Sequence, residues 1–518
     1  MPLALRFPMK AKHLQAEKRC FWLIVLAVFT LAAIIQWHIF MSRDVGWHLL
    51  AAERLLKGGT YSQDFLDVSP PMIFYLLLPP LLIQHLFQGN LILSFRVYLF
   101  LISFLSLLTC FAFTHRLFGT KDRLMHGMLL LTLAVVYLLL PVSELGQRDP
   151  FVMVLIMPYL LAIGTQAQHK DLTLSPFLMV WVGLLAGLGF SLNLQFFILF
   201  IMLEFYLIQR RALVFRVESL MIIAVFIFYL LSIFLFFPDY ITQVLPLVIS
   251  LYTSTFNDSL PTLADSAALF SWLAAFLFFI IDWKKSRYQP LFLVFFLAAT
   301  VSVILFLFTR KIWYYHQVPT IGFSTLLLAL FLAQNQQPRL RHSGKTIILC
   351  ILLMGLPIFT IAQLSFSNWK KKSNPHNGIN QILTYVQERA EGKSVMVFST
   401  TVTPAGLLIP YAKVNLGSRF AGFWMLPGIL KRENESLNPM QKQKLNEEKQ
   451  RLNNMVVEDF SRYKPKLVLV DIASSKEYLS GISFDYIRYF SHDPRFVHLW
   501  RAYRYQTTIA NFAIYGRG

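Results

Sequence analysis

Charge is scarce in this chain. Asp, Glu, Lys and Arg make up 14% of its 518 residues, where a soluble globular protein carries about 25%. That shortfall, with 56% hydrophobic and 15% aromatic residues, excludes an ordinary cytosolic enzyme. Cysteine is rare too. Cys20, Cys110 and Cys350 all lie in or beside apolar runs, so the polar tail has neither a disulfide framework nor zinc-ligand spacing. No HExxH, CxxC or GxSxG occurs, which removes the usual zinc-hydrolase and serine-esterase readings. HSGKT (342–346) lacks the leading glycine of a phosphate-cradling loop. Gly183, Gly187 and Gly189 fall inside an apolar run, where they permit close helix packing. No repeat or low-complexity tract is present.

Positive charge and long apolar runs are what the chain has in excess. The net charge is +20, yet it is spread out: residues 1–368 hold 25 Lys and Arg against 15 Asp and Glu, and residues 369–518 hold 22 against 12. In the first part the charges sit between apolar runs, the pattern of a membrane protein and not of a nucleic-acid binder. Since about 20 apolar residues cross a bilayer as helix, the runs predict eleven spans. They lie near 21–41, 92–114, 125–141, 150–166, 174–190, 194–208, 219–237, 266–281, 290–308, 317–333 and 346–366. The first follows a basic flank and precedes no small-residue cleavage site, so it reads as a retained span.

Loop charge supplies an independent test. With the N-terminus inside, the inner segments hold 18 Lys and Arg and the longer outer segments hold 6. The positive-inside rule therefore predicts a cytoplasmic N-terminus, and an odd span count puts the tail outside. In that tail, VMVF (395–398) and LVLVD (467–471) read as strands flanking a charged helix near 439–462. The end, near 496–515, alternates like antiparallel strands. The expected architecture is an α-helical polytopic membrane domain, 1–368, with interfacial helices in its first outer loop, plus a small α/β extracytoplasmic domain, 369–518.

Polar residues in a membrane protein mark function by default, and here they gather in the outer loops. SRDVGWHLLAAERLLKGG (42–59) reads as an amphipathic helix opened by Ser42 or Asp44 and stopped by Gly58-Gly59. A short apolar helix follows at 72–87. Asp44, near His48, has two readings, helix cap or general base. Asp64 and Asp67 are equally open between turn formation and substrate contact. SELGQRDP (143–150) offers Glu144, Arg148 and Asp149, with Pro150 placed to open a helix. TRKIWYYHQVP (309–319) sets Arg310, Lys311 and His316 among aromatics, either an interfacial belt or a phosphate site. Arg96 and Glu204 sit inside spans, with partners left open.

Taken in order, RDVGWH, GTYSQDFLDVSPPMIFY, QRDPFVMVLIMPYLL and KIWYYHQVP resemble the outer-loop motifs of bacterial GT-C glycosyltransferases. These include protein O-mannosyltransferases and lipid A aminoarabinose transferases. SRFAGFWMLP (418–427) is similar to the outward domain of some members. The resemblance implies transfer of a sugar from a polyprenyl-phosphate carrier to a lipid, glycan or protein acceptor on the outer face of a bacterial inner membrane. It implies catalytic positions at Asp44 and Asp149, and places Arg148, Lys311 and His316 at the carrier phosphate. Two departures stand out. The family's frequent acidic pair reads Asp44-Val45, and a lysine near the sixth span is replaced by Asn193 or Gln195. No cofactor is expected. The rival readings are a transporter or lipid flippase, a non-catalytic scaffold, and a ligase using the same carriers.

Overall fold

The computed structural model describes residues 9–119, 122–169, 175–211, 216–253, 255–334, 344–479 and 481–518. The chain opens with α1 (Met9–His38), α2 (Arg43–Leu56), α3 (Met72–Leu76), α4 (Leu78–Phe87) and α5 (Leu91–Phe118). Then follow α6 (Arg123–Leu138), α7 (Arg148–Gln168), α8 (Pro176–Leu192), α9 (Phe197–Arg211) and α10 (Val217–Phe236). After a π-helical stretch around α11 (Leu245–Leu247) come α12 (Leu260–Ala264), α13 (Ala267–Asp282), α14 (Gln289–Thr309), α15 (Tyr314–Gln334) and α16 (Gly344–Ser373).

Among the described residues, α5, α7, α10, α14, α15 and α16 are long and apolar enough to cross a membrane. α1 completes a seventh crossing and turns through 86° into α2. The shorter α6, α8, α9 and α13 fall on the remaining four runs expected from sequence. All eleven runs are therefore helices, as read. α7 and α15 are almost wholly enclosed and form the centre of the bundle, whereas α10 and α16 show most of their apolar surface outward. An outward apolar face on a helix of this length is the surface a bilayer covers. The protein is an integral membrane protein. Close packing needs the small residues anticipated above: a Cβ on Gly187 of α8 would lie 2.7 Å from the Val225 Cβ of α10. Glu204 finds its partners in Arg216, Ser219 and Tyr159, and Arg216 also binds Glu218 at 2.9 Å.

The tail is built from α17 (Gly378–Ala390), β1 (Ser394–Phe398), α18 (Ala405–Ala412), β2 (Asn415–Leu416), α19 (Met425–Glu433) and α20 (Pro439–Tyr463). It ends with β3 (Leu467–Asp471), α21 (Tyr486–Phe490), α22 (Pro494–Trp500), β4 (Tyr503–Ile509) and β5 (Phe512–Arg517). Sheet order is β2-β1-β3-β5-β4. β1 is parallel to β2 and β3, while β5 runs antiparallel to β3 and β4. The expected strands at 395–398 and 467–471 and the helix near 439–462 are present. Residues 496–500 are helix instead of strand, because Asp493 accepts from the Arg495 N–H and Pro494 starts a turn.

The tail sits on one end of the bundle and clasps the α2–α3 region. Leu66 N donates to Arg419 O at 2.7 Å, and Trp424 Nε1 donates to Leu66 O at 3.1 Å. Arg419 also donates to Ser62 O at 3.1 Å while its Nε meets Asp459 at 2.9 Å in a buried ion pair. The SRFAGF motif is thus the clasp between the two parts. Removing one partner of such a pair strands a buried charge. Asp459→Ala is expected to destabilise the tail by about 3–5 kcal/mol, read as a fall in its thermal unfolding midpoint.

Candidate active site

α2 buries every residue from Val45 to Ala52, and Gly58, at φ +83°, follows its end. Instead of lying bare on a lipid surface it is covered by α18. The two backbones touch: a Cβ on Gly46 would lie 1.9 Å from the Gly406 carbonyl oxygen. That crossing fixes the start of α2 beneath the tail, where a cavity of about 540 Å³ opens. Its walls come from the α1–α3 region, the 143–148 loop, Tyr252, residues 313–315, and the loops after β1 and β3. The tail therefore supplies its roof from the C-terminal ends of parallel strands, the edge where open α/β sheets bind ligands.

Asp44 faces this cavity as the second residue of α2. Ser42 holds the cap position, but its hydroxyl donates to Glu144 at 2.8 Å instead of capping. The cap reading of Asp44 therefore fails on geometry. Gln147 Nε2 donates to Asp44 Oδ2 at 2.9 Å and to Ser42 Oγ at 2.9 Å. Oδ1 accepts no hydrogen bond among the described residues and is open to an incoming group. Burial, with the charge of Asp44 beside it, raises the Glu144 carboxyl above its ordinary range. An acid next to Asp44 thus comes from another loop, although Val45 follows Asp44 in sequence.

His48 and Asp67 line the same cavity. Asp67 accepts from Trp47 Nε1 at 2.5 Å and from the Ser69 N–H at 2.6 Å, and His48 Nε2 stands 3.8 Å away. Burial lowers the His48 imidazole, with Asp67 opposing. Asp67 is therefore both a turn former and a wall of the site.

Arg148 borders this cavity and a smaller one of about 130 Å³, which also meets Asp149, Asn193, Lys311 and His316. Asp149 is buried, and both of its oxygens are taken. His316 Nδ1 lies 2.6 Å from Oδ2, and Asn193 Nδ2 donates to Oδ1 at 2.8 Å. His316 Nε2 is buried without a partner. Arg148 makes no hydrogen bond or salt bridge among the described residues. Lys311 Nζ lies over the Tyr252 and Trp313 rings, 4.1 and 5.1 Å from their centroids. Burial, then the charge of Arg148, push the Lys311 ammonium down to about 7. Three groups able to carry positive charge thus converge on one small space, the arrangement that binds a phosphate.

The structure does not bring two of the sequence candidates to either cavity. Asp64 is held by the Thr60 N–H at 2.8 Å and by Arg462 at 2.7 Å. Burial would raise its carboxyl, but these partners hold it below the usual range. Arg310 is exposed and donates to Asp258 O at 3.2 Å. Sequence reasoning missed Gln147, Tyr252 and Tyr478 as lining residues, and noted Glu144 without placing it at the site. Only the weak signal of polar residues in outer loops pointed to them. Among the described residues no three His, Cys, Asp or Glu side chains converge as metal ligands.

The fold is that of a polytopic membrane protein of the GT-C type. Among solved structures it is similar to ArnT from Cupriavidus metallidurans bound to undecaprenyl phosphate. The TM-score is 0.56 at 13% identity, over 95% of this chain and 97% of that one. The apo state of that protein gives 0.55 at 12% identity over the same shares. At such identity the likeness establishes the fold, as the motif resemblance implied. No family model matches the chain, and no curated protein matches it.

Proposed function

We propose that this protein is a membrane glycosyltransferase that takes a sugar from a polyprenyl-phosphate carrier and passes it to a hydroxyl acceptor on the outer face. The observation that carries this reading is the juxtaposition of an open carboxylate, Asp44, with a cationic pocket entered through Arg148. The ArnT likeness supports it, since that protein was solved with undecaprenyl phosphate. The loop-charge asymmetry supports an inside N-terminus and an outside tail, consistent with a bacterial inner membrane.

In this mechanism the carrier phosphate lies between Arg148, Lys311 and His316, and the sugar reaches into the larger cavity. Asp44 takes the acceptor proton. The acceptor oxygen forms a bond to the anomeric carbon from the face opposite the phosphate, so configuration inverts. The anomeric C–O bond breaks with its electron pair going to phosphate, which leaves as a polyprenyl monophosphate with one more negative charge. Preorganised cations stabilise that developing charge most where water is excluded. Asp149 acts as a positioning residue that orients His316, because neither of its oxygens is free.

Lys311 gives the test. The donor is a phosphodiester with no titration near neutrality, so pH dependence of its binding reports the protein. Below pH about 7 the Lys311 ammonium is already charged. Above that value binding must first protonate the amine, so donor KM is expected to rise by up to about tenfold per pH unit. Lys311→Arg keeps its charge and is expected to flatten the rise. An unchanged slope in the variant would remove Lys311 from the phosphate site.

A further inference from the structure

A second cavity, of about 510 Å³, shares no lining residue with the active-site cavity and lies between the end of α1, the start of α5, the end of α16 and Tyr411 of α18. Two cations face it. Lys372 Nζ donates to Trp37 O at 2.8 Å and Ile39 O at 3.1 Å, and Arg96 donates to Ile39 O at 3.2 Å. These carbonyls end α1, where one cation suffices as a cap. Two are present, neither has a carboxylate partner among the described residues, and Arg96 Nε is buried without an acceptor. Lys372 also stands over the Phe40 and Tyr411 rings, and among the described residues neither cation is neutralised by a charged partner in the pocket.

Its mouth points at lipid. Trp37 is 65% exposed and Trp369 44%, a pair of indoles of the kind enriched where helices meet headgroups. Below them Leu93, Val97 and Leu101 form an exposed stripe at four-residue spacing on α5. Leu352, Phe359 and Phe366 form another at seven-residue spacing on α16. Both spacings keep side chains on one helix face. We propose that this pocket binds the phosphate headgroup of an anionic glycerophospholipid, with its acyl chains lying along the two stripes. Through Tyr411, whose hydroxyl also accepts from the Met41 N–H at 3.0 Å, the lipid ties the tail to the bundle. The assignment does not depend on the transferase reading.

Native mass spectrometry of the full chain in detergent tests it, with dioleoyl-phosphatidylglycerol, dioleoyl-phosphatidylcholine and undecaprenyl phosphate as probes. The wild type is expected to retain phosphatidylglycerol in preference to phosphatidylcholine. Arg96→Gln combined with Lys372→Gln is expected to weaken that retention by about tenfold or more, while Arg96→Lys combined with Lys372→Arg keeps it. Leu93→Glu, which leaves the cap of α1 intact, is expected to weaken it as well. Retention that Leu93→Glu and the neutral double variant leave unchanged would overturn the proposal. So would a loss of undecaprenyl phosphate, and not of phosphatidylglycerol, in those variants.

Discussion

Asp44→Asn is expected to lower sugar transfer by about 10²–10⁴-fold, the usual worth of a positioned general base, with donor KM nearly unchanged. The substitution keeps size and keeps a carbonyl oxygen able to accept from Gln147 Nε2, now 2.9 Å from Oδ2. It removes the negative charge and the basicity with little change of shape. Steady-state kinetics on membranes with matched protein amounts separate the two parameters. The phosphate pocket is reached through Arg148 and not through Asp44, so binding of donor survives while turnover falls. A rise in KM at constant kcat would move Asp44 from proton transfer to sugar binding. Glu144, bound to the same Ser42 at 2.8 Å, would then be the next carboxylate to replace.

Gly406→Val is expected to abolish transfer nearly as completely, by a different route. A Cβ on Gly406 would lie 1.9 Å from the Arg43 carbonyl oxygen. Backbone cannot yield as a flexible side chain can, so α18 must withdraw from α2 and lift the roof from the cavity. Misplacing a reacting group by about 1 Å costs on the order of 10²-fold in rate. The same displacement loosens the tail from α2, and limited proteolysis at the largely exposed 374–377 connection between α16 and α17 is expected to release the tail faster than in the wild type. Gly355→Ala, in α16 with nothing within 4 Å of the new Cβ, is the matched control and is expected to be neutral. Wild-type activity and protease resistance in Gly406→Val would show that the tail is not needed as a roof.

The bundle was readable because each span is a run of apolar residues with its own length. Asp44 and Arg148 were readable as polar groups in loops between apolar runs, where lipid-facing sequence would avoid them. Other features depend on what meets in space. Glu144 was assigned no role because its neighbour is Ser42, 102 residues away in sequence. Asp149 looks like a second acid in sequence, yet His316 and Asn193 occupy its oxygens. Arg310 and Lys311 are adjacent in sequence and equivalent by composition. The left-handed backbone at Arg310, φ 52°, accompanies their divergence, one bound to Asp258 and one facing the pocket. Residues 496–500 were read as strand because apolar and polar residues alternate near 496–515, which outweighed the Asp493-Pro494 start signal of the helix.

The most direct measurement follows labelled sugar on a series of polyprenyl phosphates, undecaprenyl first. Wild-type membranes are incubated with a lipid extract of the native host, and label leaving the carrier is scored together with the polyprenyl phosphate released. Release of both in equal amounts, dependent on Asp44, is the expected result. Label that crosses liposome membranes while staying on its carrier would contradict it and make this chain a transporter of lipid-linked sugars.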